Sequence, residues 1–326
     1  MKGHPSSQPL GHSPFRWTAL ACALAVLAVT GTGCSVRKIA VRKIGDAIAA
    51  GGSSFASDDD PDLIKAAAPT NLKLMESLLA ESPRHAGLLL ATASGFTQYA
   101  YAFLEQEADE LEEKDLTAAT ALRGRAKRLY LRARDYGLRG LDVAHPDFAK
   151  ALRADPKRAV AAAKKADVPL LYWTAAAWGS AISLGKDNPD LVADQPIVEA
   201  LIDRALALDE AWDDGSIHGF LITYETARAG GKGPAEARAR EHFARAMDLA
   251  KGQQAAPLVA LAEAVCIAKQ DAKEFKSLLE RALAIDVNAR PEWRLVNTVM
   301  QRRARWLLGR IEDLFLVATP APGKAE

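Results

Sequence analysis

One stretch constrains the fold more than any other: residues 87–111, GLLLATASGFTQYAYAFLEQEADEL. From Leu88 to Leu104 it is apolar on nearly every face, and a helix of that kind is buried. A membrane span needs about 20 apolar residues, whereas charges begin at Glu105. We therefore expect a long, buried central helix of roughly 36 Å. Glycine costs about 1 kcal/mol relative to alanine inside a helix, so Gly95 predicts the close approach of another backbone.

The composition favours helix in nearly every part of the chain. Alanine, leucine, arginine and glutamate alternate along it, and all four are good helix formers. We find no alternating Val/Ile/Thr runs of the kind that predict strands. The formal net charge is +1, and it becomes about −1 without residues 1–33, which carry two basic residues and no acidic one. This balance argues against a nucleic-acid partner held by phosphate contacts.

The N-terminus has the design of a signal peptide. Lys2 and Arg16 precede a short apolar run that ends in the small residues TGTGC. Cys34 follows Gly33 and resembles the lipidated cysteine of a bacterial lipobox, although Gly31 stands where that pattern prefers leucine. We predict a signal peptide at 1–33, a lipid anchor at Cys34 and an N-terminal segment at 34–60. The alternative is ordinary secretion with a free Cys34.

The residues after the predicted cleavage point indicate where the protein is sorted and how its cysteines are used. Ser35, rather than aspartate, fits sorting to the inner leaflet of the outer membrane, which would make this a periplasmic protein. Cys22 leaves with the signal peptide and Cys34 takes the lipid. Cys266 alone remains in the apolar run VALAEAVCIA, so no internal disulfide can form. We expect Cys266 to be buried and inert.

Proline and glycine signals divide the rest of the chain into helices. Asp60 before Pro61 fits a helix N-cap followed by a first-turn proline, and the first amphipathic helix is expected at 69–82. Beyond the central helix we predict helices at 117–142 and 168–184 and three further pairs: 197–208 with 212–229, 234–250 with 255–268, and 272–285 with 291–315. The predicted helical domain covers 61–316, and the tail 317–326 is expected to be disordered.

Charge patterning predicts that the central helix and its successor form an antiparallel hairpin. The central helix ends in acidic residues, which oppose the dipole at a helix C-terminus. The following helix begins with several arginines and a lysine. A hairpin would place the acidic end beside the basic start.

Three helix ends look alike: IDRALALDE (202–210), FARAMDLAK (243–251) and LERALAIDV (279–287). Each places an alanine between large apolar residues at a spacing of three. The pattern resembles the second helix of a tetratricopeptide repeat, although the proline expected after the aspartate is missing. The fold class predicted is therefore all-α, with stacked antiparallel helix hairpins of degenerate tetratricopeptide type around the central helix.

Longer blocks resemble the TRAP transporter TatT component family over essentially residues 34–316. The blocks are residues 33–61, 76–109, 167–179 (DVPLLYWTAAAWG), 241–249 (EHFARAMDL) and 290–308 (RPEWRLVNTVMQRRARWLL). The resemblance implies an all-helical periplasmic lipoprotein with cryptic tetratricopeptide-type hairpins. It also implies a homotrimer that works with the periplasmic solute-binding protein of a TRAP transporter in the capture or hand-over of a small ligand.

The sequence contains no recognisable catalytic constellation. No HExxH, G-x-S-x-G or phosphate-binding glycine loop occurs, and no metal-ligand spacing stands out. His242 is expected to be structural or to lie at the surface, while His218 is a weaker candidate for a cavity. We predict a protein that is not an enzyme and has no cofactor or metal.

Aromatic and charged residues inside otherwise apolar helices are the candidates for a ligand cavity. They are Tyr99, Tyr101, Glu105, Trp173, Trp178, Tyr224, Glu225, Arg294, Asn297 and Arg303. An arginine facing a cavity would suit a carboxylate ligand through bidentate pairing, and the aromatic walls would suit an apolar one. The alternative is that these arginines bridge helices or face water.

The function predicted is that of a non-enzymatic accessory lipoprotein of a TRAP-type system. It would dock a solute-binding protein and bind or relay a small ligand. The alternative is a tetratricopeptide-like scaffold that organises envelope proteins and binds peptides in its concave face. An envelope enzyme is a third and weaker hypothesis, since the sequence isolates no acid/base pair.

Overall fold

The structure is a computed structural model that describes residues 43–48 and 52–316. These residues are mostly helical and include no strand, which confirms the all-α prediction. No helix in this part of the chain is both long enough and apolar enough to cross a bilayer. The predicted signal peptide, Cys34 and the tail 317–326 lie outside the described residues. The domain limits 61–316 stay a prediction.

We number the longer helices α1 to α10. They are α1 (Pro61–Glu81), α2 (Ala86–Ala100, continued by a π-helical turn Tyr101–Glu105 and by Gln106–Leu111), α3 (Leu116–Ala144), α4 (Val168–Ser183), α5 (Gln195–Leu208), α6 (Ser216–Ala227), α7 (Ala235–Leu249), α8 (Ala256–Leu261, continued by a π-helical turn Ala262–Cys266 and by Ile267–Lys269), α9 (Ala272–Leu283) and α10 (Arg294–Leu308).

Shorter helical segments connect these elements. They are 43–48, Gly52–Ala56, Phe148–Ala154, Pro156–Val160, Lys165–Asp167, Pro189–Val192, Trp212–Gly215, Pro291–Trp293 and Ile311–Leu314.

Helix α1 begins at the predicted cap but earlier than the predicted helix. The Asp60 carboxylate accepts the backbone N–H groups of Asp62 and Leu63 at 3.0 and 2.9 Å, and Pro61 occupies the first turn. The prediction that the helix starts at Pro69 was wrong, because α1 runs through that proline. A proline inside a helix costs about 3 kcal/mol. The cap and the burial of Ile64 and of further apolar residues along α1 offset this cost.

Helix α2 is the central helix that the sequence predicts, and it packs against α1, α3 and α4. Two details differ from the prediction. A Cβ at Gly95 would lie 2.8 Å from Cδ2 of Leu72, so a side chain and not a backbone approaches this glycine. The helix is also not buried on every face, because Tyr101 is 40% exposed.

A close approach of two helix backbones occurs instead between α3 and α4. A Cβ at Gly137 would lie 2.1 Å from Oγ1 of Thr174 and 3.4 Å from its Cα. Thr174 is fully buried and donates its hydroxyl hydrogen to the Leu170 carbonyl. A side chain at 137 therefore has no room, which is why glycine lets these two helices touch.

The hairpin between α2 and α3 is confirmed, together with its charge pairing. Arg123 near the start of α3 binds Asp109 and Glu112 at the end of α2, each at 2.8 Å. The carboxylates that oppose the dipole of α2 are thus partly neutralised by the next helix.

Of the three predicted pairs of later helices, the last is confirmed, because α9 packs against α10, and the first two are wrong, although the positions of their helices are close. Helix α5 packs mainly on α4, α6 on α7, and α8 on α9, with α10 added to α9. Glu225 of α6 explains the α6–α7 pair, because it binds Arg228 in the short loop and Arg238 on α7 at 3.0 and 2.5 Å. The three similar helix ends lie in α5, α7 and α9, the second helix of each pair. Their likeness to tetratricopeptide repeats stays a prediction from sequence.

Two separate apolar clusters stabilise the two halves of the molecule. The first gathers buried residues of α1 to α6 and includes Leu221. The second gathers residues of α6 to α10 and the segment after it and includes Ile222. We call α6, which serves both clusters through Leu221 and Ile222, the apolar junction.

The chain closes into a ring, because α10 returns to the N-terminal half. It contacts Gly52–Ala56 and α1, and its arginines reach acids of α2. We call this closure the ionic junction. Its cations are Arg294, Arg302, Arg303 and Arg310, and their partners across the ring are Ser57, Asp62, Asp109, Glu110 and Glu113.

Candidate functional site

The two π-helical turns of the described chain each carry a glutamate that faces the same buried group. Glu105 ends the turn in α2, and Glu263 lies in the turn of α8. Such turns occur frequently at functional sites. Both glutamates lie close to Arg303 of α10, so the two turns and α10 together build one site.

Hydrogen bonds organise this site, which we call the interior cluster: Tyr101, Glu105, Asp109, Tyr130, Glu263 and Arg303. The Tyr130 hydroxyl donates to Oε2 of Glu105 at 2.7 Å. Arg303 donates from Nε and Nη2 to Oε1 of Glu263 at 3.1 and 2.6 Å, and from Nη2 to Oδ2 of Asp109 at 2.8 Å. One arginine therefore joins carboxylates from both halves of the ring.

The two glutamates of the cluster are strongly desolvated. Burial raises the pKa of Glu105, and the hydrogen bond from Tyr130 offsets only part of that rise. Burial also raises the pKa of Glu263, against the opposing charge of Arg303. A protein surrounding that disfavours the charged form has this effect on an acid.

Two residues of the cluster have pKa values raised by burial although water reaches part of their side chains. This combination shows where the cluster borders solvent. Burial raises the pKa of Tyr101, although 40% of this residue is exposed. The Glu263 side chain is 26% exposed while burial raises its pKa as well. Both observations hold for a side chain that protein surrounds on most sides but that borders an enclosed, water-accessible space. We infer that Tyr101 and Glu263 border a water-accessible recess beside the interior cluster.

The same contrast recurs on α4 and before α6. Burial raises the pKa of Tyr172, and it raises that of Asp213 although Asp213 is exposed. On α6 a Cβ at Gly219 would find no atom within 4 Å, so this face of the helix borders open space. These residues form a second region in which desolvated groups lie beside open space.

Arg303 is buried, and its hydrogen-bonding capacity is largely used inside the protein. It is 8% exposed, and its guanidinium carbon lies 4.3 Å from the centre of the Trp306 ring. Nη1 is buried without a hydrogen-bond partner. A carboxylate ligand would have to displace Glu263 or Asp109 to form a bidentate pair with this arginine.

Of the ten candidates from sequence, the structure brings Tyr101, Glu105 and Arg303 together. Tyr99 lies in the first apolar cluster and packs its ring 5.6 Å from that of Phe103. Trp173 is half-buried, and its ring lies 4.9 Å from that of Tyr172, so this tryptophan lies beside the desolvated tyrosine of α4.

The other aromatic candidates belong to the packing of the first cluster. Trp178 is 1% exposed and lies between Arg134 and Arg153, whose guanidinium carbons are 4.9 and 5.7 Å from its ring centre. Tyr224 stacks on Phe220 with ring centres 5.3 Å apart.

The remaining polar candidates bridge segments of the chain. Arg294 donates to the Ser57 carbonyl at 2.9 Å. Asn297 donates to the Gln253 carbonyl at 3.0 Å and accepts the Ala255 N–H at 2.9 Å. Burial alone would raise the pKa of Glu225, but hydrogen bonds from its two arginines outweigh this, so that its pKa is lowered.

The histidines and the cysteine are engaged within the protein. His218 and His242 share a hydrogen bond between their Nδ1 atoms at 2.9 Å, and burial lowers the pKa of both. Cys266 is buried, as predicted, and burial raises the pKa of its thiol to about 12. A thiol with so high a pKa is a poor nucleophile at neutral pH.

Sequence reasoning missed three members of the interior cluster: Asp109, Tyr130 and Glu263. Asp109 was assigned only to the acidic end of a hairpin. Glu263 had a usable signal, because it is the one charged residue in the run VALAEAVCIA. Tyr130 had none, since a tyrosine within a helix is ordinary.

Comparison with known proteins places this architecture in a family. The model of the TRAP transporter T-component family matches residues 57–315. A Treponema pallidum (strain Nichols) protein that carries the description "Uncharacterized protein" is 30% identical over 269 residues, covering 80% of this chain and 82% of that protein. The matched range contains both π-helical turns, α10 and every member of the interior cluster. The chain therefore belongs to the TRAP transporter T-component family.

Proposed function

We propose that this accessory component docks a periplasmic TRAP-type solute-binding protein and holds a small ligand inside its ring. Membership of a transporter component family supports the first part. The observation that carries the second is the interior cluster, whose groups are desolvated and yet border accessible space. The role is non-enzymatic, in line with a family that is defined by transport.

The free hydrogen-bonding atoms of the cluster favour a ligand that donates hydrogen bonds. Glu105 uses Oε2 for Tyr130, and Glu263 uses Oε1 for Arg303. Each leaves its second carboxyl oxygen as an acceptor. Arg303 keeps only Nη1 without a partner, since its Nε and Nη2 atoms bind Glu263 and Asp109. The cluster therefore suits an amine, an alcohol or a protonated acid better than a carboxylate anion, which needs a pair of donors.

The place of the protein in the cell is part of the same proposal. Lipidation at Cys34 would hold it at the inner leaflet of the outer membrane, with the ring in the periplasm. A homotrimer is proposed from the family resemblance. Exposed apolar side chains near the ring closure support an interface, notably Leu63 at 56% and Val296 at 42% exposed.

Docking is tested by capture from an envelope extract. The purified protein is immobilised, and the retained proteins are identified by mass spectrometry. We expect a TRAP-type solute-binding protein among them. Retention of secretion or cell-wall machinery in its place would contradict the transport role.

Ligand binding is tested by native mass spectrometry of the purified protein. We expect a small molecule to be retained by the wild type and lost in Glu263→Gln, which keeps the size of the side chain but removes an acceptor oxygen. Glu280→Gln is the matched control, because the Glu280 side chain on α9 is 58% exposed and lies outside the cluster. Equal retention by both variants would contradict an interior site.

A scaffold role is the second candidate, and one observation favours it. A groove of about 450 Å³ lies at the surface between the ends of α7 and α9, lined in part by Met247, Leu258, Arg281 and Ile285. Its mixture of apolar and charged side chains suits a peptide. The envelope-extract capture is repeated with Arg281→Glu and with Glu263→Gln. Partners that are lost with the first variant and kept with the second would favour the scaffold role over ligand relay.

A further inference from the structure

The ring closes at two places whose chemistry differs. At the apolar junction, α6 packs into both apolar clusters. At the ionic junction, neither of the two clusters crosses from α10 to α1 or α2 within the described residues. Opening the ring at α6 would expose apolar side chains to water, whereas opening it at α10 would mainly separate charged groups.

The contacts of the ionic junction are mostly exposed ion pairs. Arg302 lies 3.5 Å from Asp62 and 3.6 Å from Glu110, and its side chain is 58% exposed. Arg310 pairs with Glu113, whose side chain is 63% exposed. Exposed pairs of this kind contribute little to stability and are screened by salt.

The buried pair at the centre of the junction can separate without leaving an unpaired charge. Arg303 binds Asp109 across the junction, but it also binds Glu263 within its own half. Asp109 likewise keeps Arg123 in its own half at 2.8 Å. The large cost of stranding a buried charge is therefore avoided when α10 moves away from α2.

Packing at the ionic junction is incomplete. A cavity of about 20 Å³ lies there, and Phe103, Gln106, Val299 and Arg302 are among its lining residues. The hydrogen bond between Gln106 and α10 is weak, because Nε2 of Gln106 donates to Sδ of Met300 over 4.0 Å. Incomplete packing forfeits contact energy that a well-filled interface would gain.

We propose that the ionic junction is the gate of the ring, with α6 as its hinge, and that α10 swings away from α1 and α2 to admit the ligand. The interior cluster lies directly behind this junction, because Asp109 and Arg303 belong to both. The route rests on the proposed ligand function. The opening itself does not, and it is tested without any ligand.

The test compares two buried methionines under hydrogen peroxide. Met300 lies at the ionic junction and is 3% exposed, and Met75 lies in the first cluster and is 7% exposed. Sulfoxide formation at each is followed by peptide mass spectrometry of the whole protein. Raising the salt to 1 M shortens the screening length to about 3 Å, so we expect oxidation of Met300 to speed up roughly fivefold while that of Met75 stays constant.

Charge variants assign the effect to the junction. Arg310→Glu should speed up Met300 oxidation at low salt, and the charge-swapped double variant Arg310→Glu with Glu113→Arg should restore the slow rate. Lys276→Glu makes the same charge change on the exposed surface of α9 and should have no effect.

An unchanged Met300 rate in high salt, or an equal rise at Met75, would overturn the gate. If the Met300 rate does not change with salt but the wild type still retains a ligand in native mass spectrometry, the gate is wrong and the ligand site stands. If Met300 oxidation depends on salt but the wild type retains no ligand, the gate stands and the proposed ligand site is wrong.

Discussion

The apolar and ionic junctions connect the same two halves of the ring, but different forces stabilise them. Leu221 and Ile222 of α6 are buried in opposite clusters, and burying such a side chain contributes about 1.5 to 3 kcal/mol. The pairs of Arg302 across the ring are largely exposed, and such a pair contributes about 0.2 to 1 kcal/mol. The difference teaches that one closure holds the fold together while the other is weak enough to open.

Two desolvated glutamates repeat the contrast at the level of single residues. Glu225 lies at the apolar junction, and its arginines keep its pKa low against the effect of burial. Glu105 lies in the interior cluster, where burial wins and its pKa is raised. The first carboxylate is built into the fold as an anion, and the second is held where ionisation is unfavourable.

The largest effect is expected from Glu225→Gln, which sharpens the comparison at the apolar junction. Removing one partner of a buried ion pair destabilises by about 3 to 5 kcal/mol. Because the folded pKa of Glu225 is lowered, its contribution is present above the unfolded value of about 4.3 and is lost as the pH falls through the folded pKa. Urea unfolding of both proteins at several pH values should show a difference that shrinks towards acid; a constant difference would contradict the assignment.

Leu221→Ala should come next, with a loss of about 2 to 5 kcal/mol, since it leaves a cavity between the clusters. Chemical denaturation provides the measurement. Leu116→Ala is the control, because Leu116 is 62% exposed and exposed substitutions usually stay within about 0.5 kcal/mol. Similar losses in the free energy of unfolding for the two variants would mean that Leu221 contributes no more to stability than an exposed leucine.

Glu105→Gln should have a smaller effect with the opposite dependence on pH. The folded pKa of Glu105 is raised, so its contribution to stability is fully present below about 4.3 and is lost as the pH rises through the folded pKa. The glutamine variant cannot ionise at this position, so it does not lose this stability as the pH rises. Its thermal midpoint should therefore fall less between acid and neutral pH than that of the wild type, as followed by circular dichroism. A steeper fall would show that the carboxylate is stabilised as an anion.

The smallest effect is expected at the ionic junction itself. Arg302→Ala should cost less than about 1 kcal/mol at low salt, because both of its ion pairs are exposed to some degree. The difference should vanish in 1 M salt, where screening already weakens the wild type. A loss as large as that of Leu221→Ala would remove the distinction between the two junctions.

The sequence was sufficient to predict the elements governed by local rules. The unbroken apolar run predicted α2, and Asp60 with Pro61 predicted the start of α1. The acidic and basic ends predicted the α2–α3 hairpin. The pairing of α5 to α8 was not predicted, because it depends on contacts such as Glu225 with Arg238, which the spacing of helices does not reveal.

The interior cluster was predicted only in part, for a similar reason. Tyr101, Glu105 and Arg303 stood out as polar groups in apolar helices. Their meeting depends on the closure of the ring, which brings residues about 200 positions apart in sequence into contact. The two π-helical turns left no trace in the sequence, since each is an irregularity of hydrogen bonding inside a continuous helix.

The most direct test of unequal junctions is hydrogen–deuterium exchange of the whole protein at low and at high salt. We predict faster exchange in 1 M salt at the ends of α2 and α10 that meet in the ionic junction, with no change in α6. Faster exchange in α6, or an equal change at both junctions, would contradict the account.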